Sequence, residues 1–254
     1  MFYLSRHLRK QGKIVMKNWV KGAALGAVLI GLASFGAQAQ VALTGTGGTV
    51  TYDFNSYLGT SAPTDWSIGS MSLYNGRTTG SSSTGGIYAM GTGSDYALGF
   101  LGSGGAAGLV ASASISFANN TGGVLDSITL SWTAEDWRVQ GRQSTLSFNS
   151  SIPGNYSSYT FTSPVGSTTG GSMAASQSYS ITFTGLDLQV GDSFSFTWSY
   201  SGDGAGGSGS RSMVGLDDVV LTYSTLAIPE PSTYTLIGMG AGILVLAQLR
   251  RKKA

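Results

Sequence analysis

Ser193-Phe194-Ser195-Phe196-Thr197-Trp198-Ser199-Tyr200 alternates hydroxyl and aromatic side chains without a break. Successive residues of an extended chain point to opposite sides, so one face of this segment is wholly aromatic and the other carries only hydroxyls. That pattern makes a half-buried strand. The same period of two recurs at Ala111-Ala113-Ile115-Phe117, at Ile128-Leu130-Trp132 and at Tyr179-Ile181-Phe183. Turn chemistry lies between these runs: Asn119-Asn120-Thr121-Gly122-Gly123, Pro153-Gly154-Asn155 and Gly185-Leu186-Asp187. The patterning predicts about ten strands, near residues 49–54, 67–74, 86–90, 96–101, 110–118, 125–133, 143–149, 177–185, 193–200 and 212–223. No helical period and no fixed-length repeat appears between them. The expected fold is all-β, an antiparallel β-sandwich of jelly-roll type.

The two ends of the chain have a different composition. Residues 1–39 carry six cations and no acid (Arg6, Arg9, Lys10, Lys13, Lys17, Lys21), then an apolar run at 22–35. Ala37-Gln38-Ala39 supplies the small-x-small pattern of a signal peptidase site, with cleavage before Gln40; the start is either Met1 or Met16. At the other end, Pro229-Glu230-Pro231 precedes 16 residues of apolar chain, Tyr234 to Leu249, closed by Arg250, Arg251, Lys252 and Lys253. This reads as a single C-terminal transmembrane helix with its basic end retained inside. At about 1.5 Å per residue it spans roughly 24 Å, short of a full bilayer. The expected organisation is a signal peptide at 1–39, a sandwich at 40–227 and an anchor segment at 228–254.

Between Gln40 and Ile228 stand four arginines (Arg77, Arg138, Arg142, Arg211), no lysine and eleven acids, a net −7 although the whole chain is formally +2. An acidic body excludes a nucleic-acid partner, which needs a basic field. The one histidine, His7, lies in the leader, and the chain has no cysteine. Ser-His-Asp and Cys-His catalysis, Schiff-base lysines and the usual zinc ligands are therefore excluded from the body. The run Gly202-Asp203-Gly204-Ala205-Gly206-Gly207 matches GxGxxG but leads into another strand, and so reads as a hairpin loop. Only carboxylates such as Glu135, Asp136 and Asp217 remain for catalysis. Adjacent residues of a strand face opposite ways, so Glu135 and Asp136 cannot flank one bond. No catalytic residue is assigned, and the expectation is that the protein is not an enzyme.

The order of parts in residues 228–254, with Pro229, Glu230 and Pro231, resembles the PEP-CTERM sorting signal of exopolysaccharide-producing Gram-negative bacteria. The resemblance implies processing by exosortase, a membrane protease, and a destination in the envelope, on the cell surface or in the extracellular matrix. A second resemblance covers residues 50–223. Asn119-Asn120-Thr121-Gly122, the run Leu125 to Arg138, Gly102-Ser103-Gly104 and Gly215-Leu216-Asp217-Asp218-Val219 are similar to the core of a large group of bacterial surface and secreted proteins with a jelly-roll domain. Asp136 stands where that group more often has Gln, and Tyr96 where Arg is common. The group implies a fold and carries no agreed activity.

Two ligand readings attach to particular residues. Trp137, exposed and joined by Tyr156 and Tyr159, would stack on the apolar faces of sugar rings. Asp53 near the start of the body and Asp217 and Asp218 near its end would offer calcium the hard oxygens it prefers, if first and last strands are neighbours. The bland alternatives are a Glu135–Arg138 ion pair ordering the strand end, and solvated acids. The reading taken is a secreted, exosortase-sorted surface or exopolysaccharide-matrix (biofilm) protein with a structural or adhesive role. The alternative is a carbohydrate-binding module, calcium-stabilised or metal-free. Third comes a carboxylate glycoside hydrolase.

Overall fold

The computed structural model describes residues 40–105, 107–168, 170–203 and 209–226, with helical positions at 235, 237–241, 243 and 248. Thirteen strands run in order among the described residues: β1 (Val41–Leu43), β2 (Gly47–Tyr52), β3 (Trp66–Gly69), β4 (Tyr74–Thr78), β5 (Gly86–Thr92), β6 (Asp95–Leu101) and β7 (Val110–Asn119). Then follow β8 (Val124–Arg138), β9 (Thr145–Ser150), β10 (Thr160–Thr162), β11 (Ala175–Leu188), β12 (Ser193–Ser201) and β13 (Met213–Leu226). One sheet has the order β1-β7-β12-β9-β10, with β3 also on β7; the other runs β11-β8-β13-β6-β5-β4, with β2 also on β13.

The all-β sandwich agrees with the patterning, but the sheets are mixed. β1 runs parallel to β7, and β4 parallel to β5. Alternation fixes which face a residue occupies and carries no information on strand direction, which corrects the antiparallel expectation. The single strand expected near 67–74 is two. β3 joins one sheet and β4 the other, separated by Ser70 in the left-handed region at φ 65°. β1 and β10, three residues each, are too short to show a period.

The core lies between the inner faces. Trp198 pairs with Ala113 and Tyr200 with Ala111 across β12 and β7, so large rings meet small neighbours. Trp132 stacks on Phe148 at 4.6 Å and on Tyr179 at 5.2 Å, and meets Trp198 edge-on at 5.7 Å. Each such side chain contributes about 1.5–3 kcal/mol when fully buried, which lets a chain without disulfides hold together by packing. The outer faces carry rows of paired hydroxyls: Thr129 with Thr182 at 3.0 Å, Thr133 with Ser178 at 3.3 Å and Ser114 with Thr197 at 2.9 Å.

The Asn119-Asn120-Thr121-Gly122 turn has a structural account. Asn119 is fully buried and its amide donates to the carbonyls of Gly123 (3.0 Å) and Leu188 (2.9 Å). Its Oδ1 accepts from the Thr121 amide and hydroxyl. One side chain thereby satisfies a buried turn and ties β7 and β8 to the end of β11.

Residues 1–39, with Ala37 and Ala39, and most of the tail, with Pro229, Glu230, Pro231, Arg250, Arg251, Lys252 and Lys253, lie outside the described residues, as do residues 204–208 of the glycine-rich loop. Gln40 is described and exposed. Among the described residues no helix is long and apolar enough to cross a membrane.

Candidate functional site

The end of β8 organises the most distinctive surface. Trp137 is only 3% exposed and sits with Tyr88, Met90, Leu101 and Met213 in a second small apolar cluster. It lies on the face of the sheet turned away from the main core, because the inward residues of β8 are Ile128, Leu130, Trp132 and Ala134. Gly99 and Gly215 keep that face flat. A Cβ at either would approach the Met90 side chain to 2.6 Å. The Trp137 indole donates to Glu135 at 2.7 Å.

Residues 79–85 close over this cluster. Gly80, at φ +86°, presses on the Trp137 carbonyl so closely that a Cβ there would stand 2.3 Å from the oxygen. Arg138 donates to the Ser82 carbonyl, and the Tyr88 hydroxyl meets both Ser82 Oγ, at 2.7 Å, and the Thr84 carbonyl. Asn75 on β4 donates to the Gly85 carbonyl at 3.0 Å. The Trp137-Arg138 pair thus builds a loop rather than meeting a ligand.

Between that loop and β4 opens a groove of about 600 Å³. Asn75, Arg77, Thr79, Ser81, Ser82 and Tyr96 are among its lining residues. The Arg77 guanidinium lies 4.1 Å above the Tyr96 ring, an exposed cation held on an aromatic face. Its Nε also donates to the Tyr57 carbonyl at 3.4 Å. Hydroxyls, an amide, two phenols and one guanidinium make a lining that can exchange several hydrogen bonds with a polyhydroxylated chain.

The carboxylates divide between two faces. Asp136, fully buried on the core side, accepts one bond from the Arg138 amide at 3.1 Å, and its Oδ2 has no partner. Burial pushes its pKa up to about 7, and its charge would act on the buried Tyr200. Asp217, 2% exposed, also has an oxygen without a partner. Burial first, then the nearby charges of Glu135, Asp218 and Asp95, push it up to about 8. Glu135 is raised by burial and partly brought back by the Trp137 hydrogen bond.

The sequence-predicted sites fare unevenly. Trp137, Tyr156 and Tyr159 form no common platform: Trp137 is buried in the second cluster, and both tyrosines pack against the main core. Tyr156 meets Phe148 at 5.4 Å and Tyr159 meets Trp132 at 5.8 Å. Tyr156 does line a shallower groove of about 440 Å³ with Asn149 and Asn155. No Glu135–Arg138 pair forms, since residues three apart on a strand face opposite ways and each side chain has another partner.

The first strand, β1, lies in the other sheet, but the strand that leads to Asp53 does adjoin the last. β2 pairs with β13, Tyr52 opposite Val219, which brings Asp53 next to the bulge holding Asp217 and Asp218. Asp53 accepts from the Asn55 amide at 3.1 Å. Among the described residues, no three acidic, histidine or cysteine side chains gather as a metal-holding group, these aspartates included. Arg77, Asn75 and Ser82 were missed from sequence. The available signal was Arg77 itself, one of four cations in the body.

No family model matches the chain, and no curated protein matches it. Solved structures do. The K3 cleaved adhesin domain of Lys-gingipain from Porphyromonas gingivalis is 15% identical over 68% of this chain and 98% of that one, with a TM-score of 0.38. The CBM22-1 xylan-binding domain of Paenibacillus barcinonensis Xyn10C is 14% identical over 74% and 99%, at 0.36. TmCBM61, in complex with beta-1,4-galactotriose, is 11% identical over 66% and 92%, at 0.32. These likenesses are loose.

Proposed function

We propose that this is a secreted surface or matrix protein whose sandwich binds polysaccharide, without catalysis, in the groove between β4 and residues 79–85. The observation that carries the reading is that groove: about 600 Å³, lined by hydroxyl, amide and phenol groups, with Arg77 poised on Tyr96. Sugars offer dense hydroxyls and small apolar faces, and such a lining suits both. A non-catalytic role is supported by the carboxylates. Glu135 and Asp136 face opposite sides, and Glu135, Asp136 and Asp217 are all buried.

Export and sorting belong to the same proposal and rest on residues 1–39 and 228–254. Signal peptidase would release the chain at Gln40, and an exosortase-type protease would act at the tail carrying Pro229, Glu230 and Pro231. The intact mass of protein recovered from the envelope and the matrix tests this. A species retaining Ala254 in the membrane fraction would refute the processing.

Affinity electrophoresis through gels containing the host exopolysaccharide, xylan or galactan tests the groove. At least one polysaccharide should retard the protein, and Arg77→Ala with Tyr96→Ala should abolish the retardation while the far-UV spectrum stays unchanged. Tyr156→Ala should leave it intact. Retardation lost only in Tyr156→Ala would move the site to the shallower groove. No retardation by any of the three would refute the reading.

A further inference from the structure

β11 (Ala175–Leu188) is an edge strand unlike the others. It pairs only with β8, through a continuous register from Ala175 opposite Asp136 to Thr184 opposite Ser127. The remaining edge positions are held by β1, β2, β3, β4 and β10, which are three to six residues long. β11 has 14. Its straight part presents about 33 Å of backbone at roughly 3.3 Å per residue. Half of its N–H and C=O groups point away from β8.

Soluble proteins blunt long edges with lysine, proline, inward charges or bulges. None of these interrupts residues 175–184; the nearest charge on the strand itself is Asp187, beyond the bulge that follows Thr184. Ser176, Gln177, Ser178, Ser180, Thr182 and Thr184 are exposed, and among the described residues no segment other than β8 hydrogen-bonds to the backbone of residues 175–184.

We propose that this edge is a self-association surface on which a second copy of the chain docks its own β11, antiparallel, joining two sheets into one. The strand's sequence is self-complementary in that arrangement. A two-fold axis through Ser180 or Ile181 keeps odd positions opposite odd and even opposite even, and sets the middle of the strand against itself. Tyr179, Ile181 and Phe183 then meet one another on the core face, continuing the apolar layer. Ser178, Ser180 and Thr182 meet on the outer face, repeating the hydroxyl pairing that already joins Thr182 to Thr129 and Ser178 to Thr133. No charge opposes a charge within 175–186. The body's net −7 opposes approach only at long range, so association strengthens as salt screens it. The inference is independent of the groove, which lies beyond β5 at the opposite end of the sheet order.

The chain has no cysteine, so a single introduced thiol reports on one position. Ser178→Cys, Ser180→Cys and Thr182→Cys, made one at a time in the purified full chain, should give disulfide-linked dimers under mild oxidation. The yield should peak at the residue nearest the axis. Thr222→Cys, exposed on an interior strand of the same sheet, should not. A variant carrying Ser178→Lys, Ser180→Lys and Thr182→Lys should raise the dimer dissociation constant in sedimentation velocity about tenfold or more, because like charges would face one another. Mixing it with the triple glutamate counterpart should restore a dimer. Equal cross-linking at 222 and at 180, or sedimentation of the lysine variant indistinguishable from the parent with its spectrum unchanged, would overturn the proposal. So would a parent that is monomeric at every concentration and gives no cross-link; the edge would then await a different partner.

Discussion

Replacing Asp136 by Asn should make the protein more stable at neutral and alkaline pH and flatten its stability profile. Asp136 is wholly buried, with one oxygen bonded to the Arg138 amide and the other without a partner. Its pKa rises from 3.8 to about 7, driven by desolvation of the charged form. A raised carboxyl favours the folded state when protonated. Its contribution is therefore complete below about pH 4, where folded and unfolded forms are both neutral, and is lost as pH climbs through 7. Roughly three pKa units at about 1.4 kcal/mol each set an upper figure near 4 kcal/mol. Water entry and local relaxation bring the expected gain at pH 8 to about 2–4 kcal/mol. Asn keeps the acceptor for Arg138 and carries no charge at any pH. Urea unfolding of parent and variant at half-unit steps from pH 4 to 9 measures the difference. The two curves should coincide near pH 4 and separate steadily to pH 7. Slope remaining in the variant belongs to Glu135 and Asp217, whose carboxyls burial also raises, with Asp217 extending it to about pH 8. A variant with the parent's slope, or one less stable than the parent at pH 8, would refute the reasoning, since it would mean the carboxylate is ionised and held by a partner.

Three further substitutions test how the turn and the groove are built. Asn119→Ala removes four hydrogen bonds, three of them buried, and should cost about 2–4 kcal/mol in the same denaturant assay, whereas Asn120→Ala, exposed, should fall within about 0.5 kcal/mol of the parent. Gly80→Val meets both a left-handed backbone and the Trp137 carbonyl; it should cost about 1–3 kcal/mol and also weaken polysaccharide retardation, because residues 79–85 form the groove wall. Stability lost with retardation unchanged would detach the groove from that loop.

The sequence by itself determined the faces of the long strands, because alternation is a local property that needs more than three residues to show. Phe194, Phe196, Trp198 and Tyr200 had to share one side whatever they packed against. It also determined the chemistry that is absent: a body without histidine, cysteine or lysine cannot host most catalytic arrangements, in any fold. Tertiary structure decided the rest. Period two tells which face Trp137 occupies and not that residues 79–85 cover that face, so a candidate sugar platform became a buried support. Arg77 and Tyr96 are 19 positions apart and meet only because β4, β5 and β6 lie side by side. Asp136 and Asp217 look like ordinary acids until burial removes their water. Nothing local to Ala175–Leu188 distinguishes an edge strand from an interior one, since the alternation is the same in both. What lies beside a strand depends on how distant segments pair, and that is set by which sheets can bury their apolar faces together.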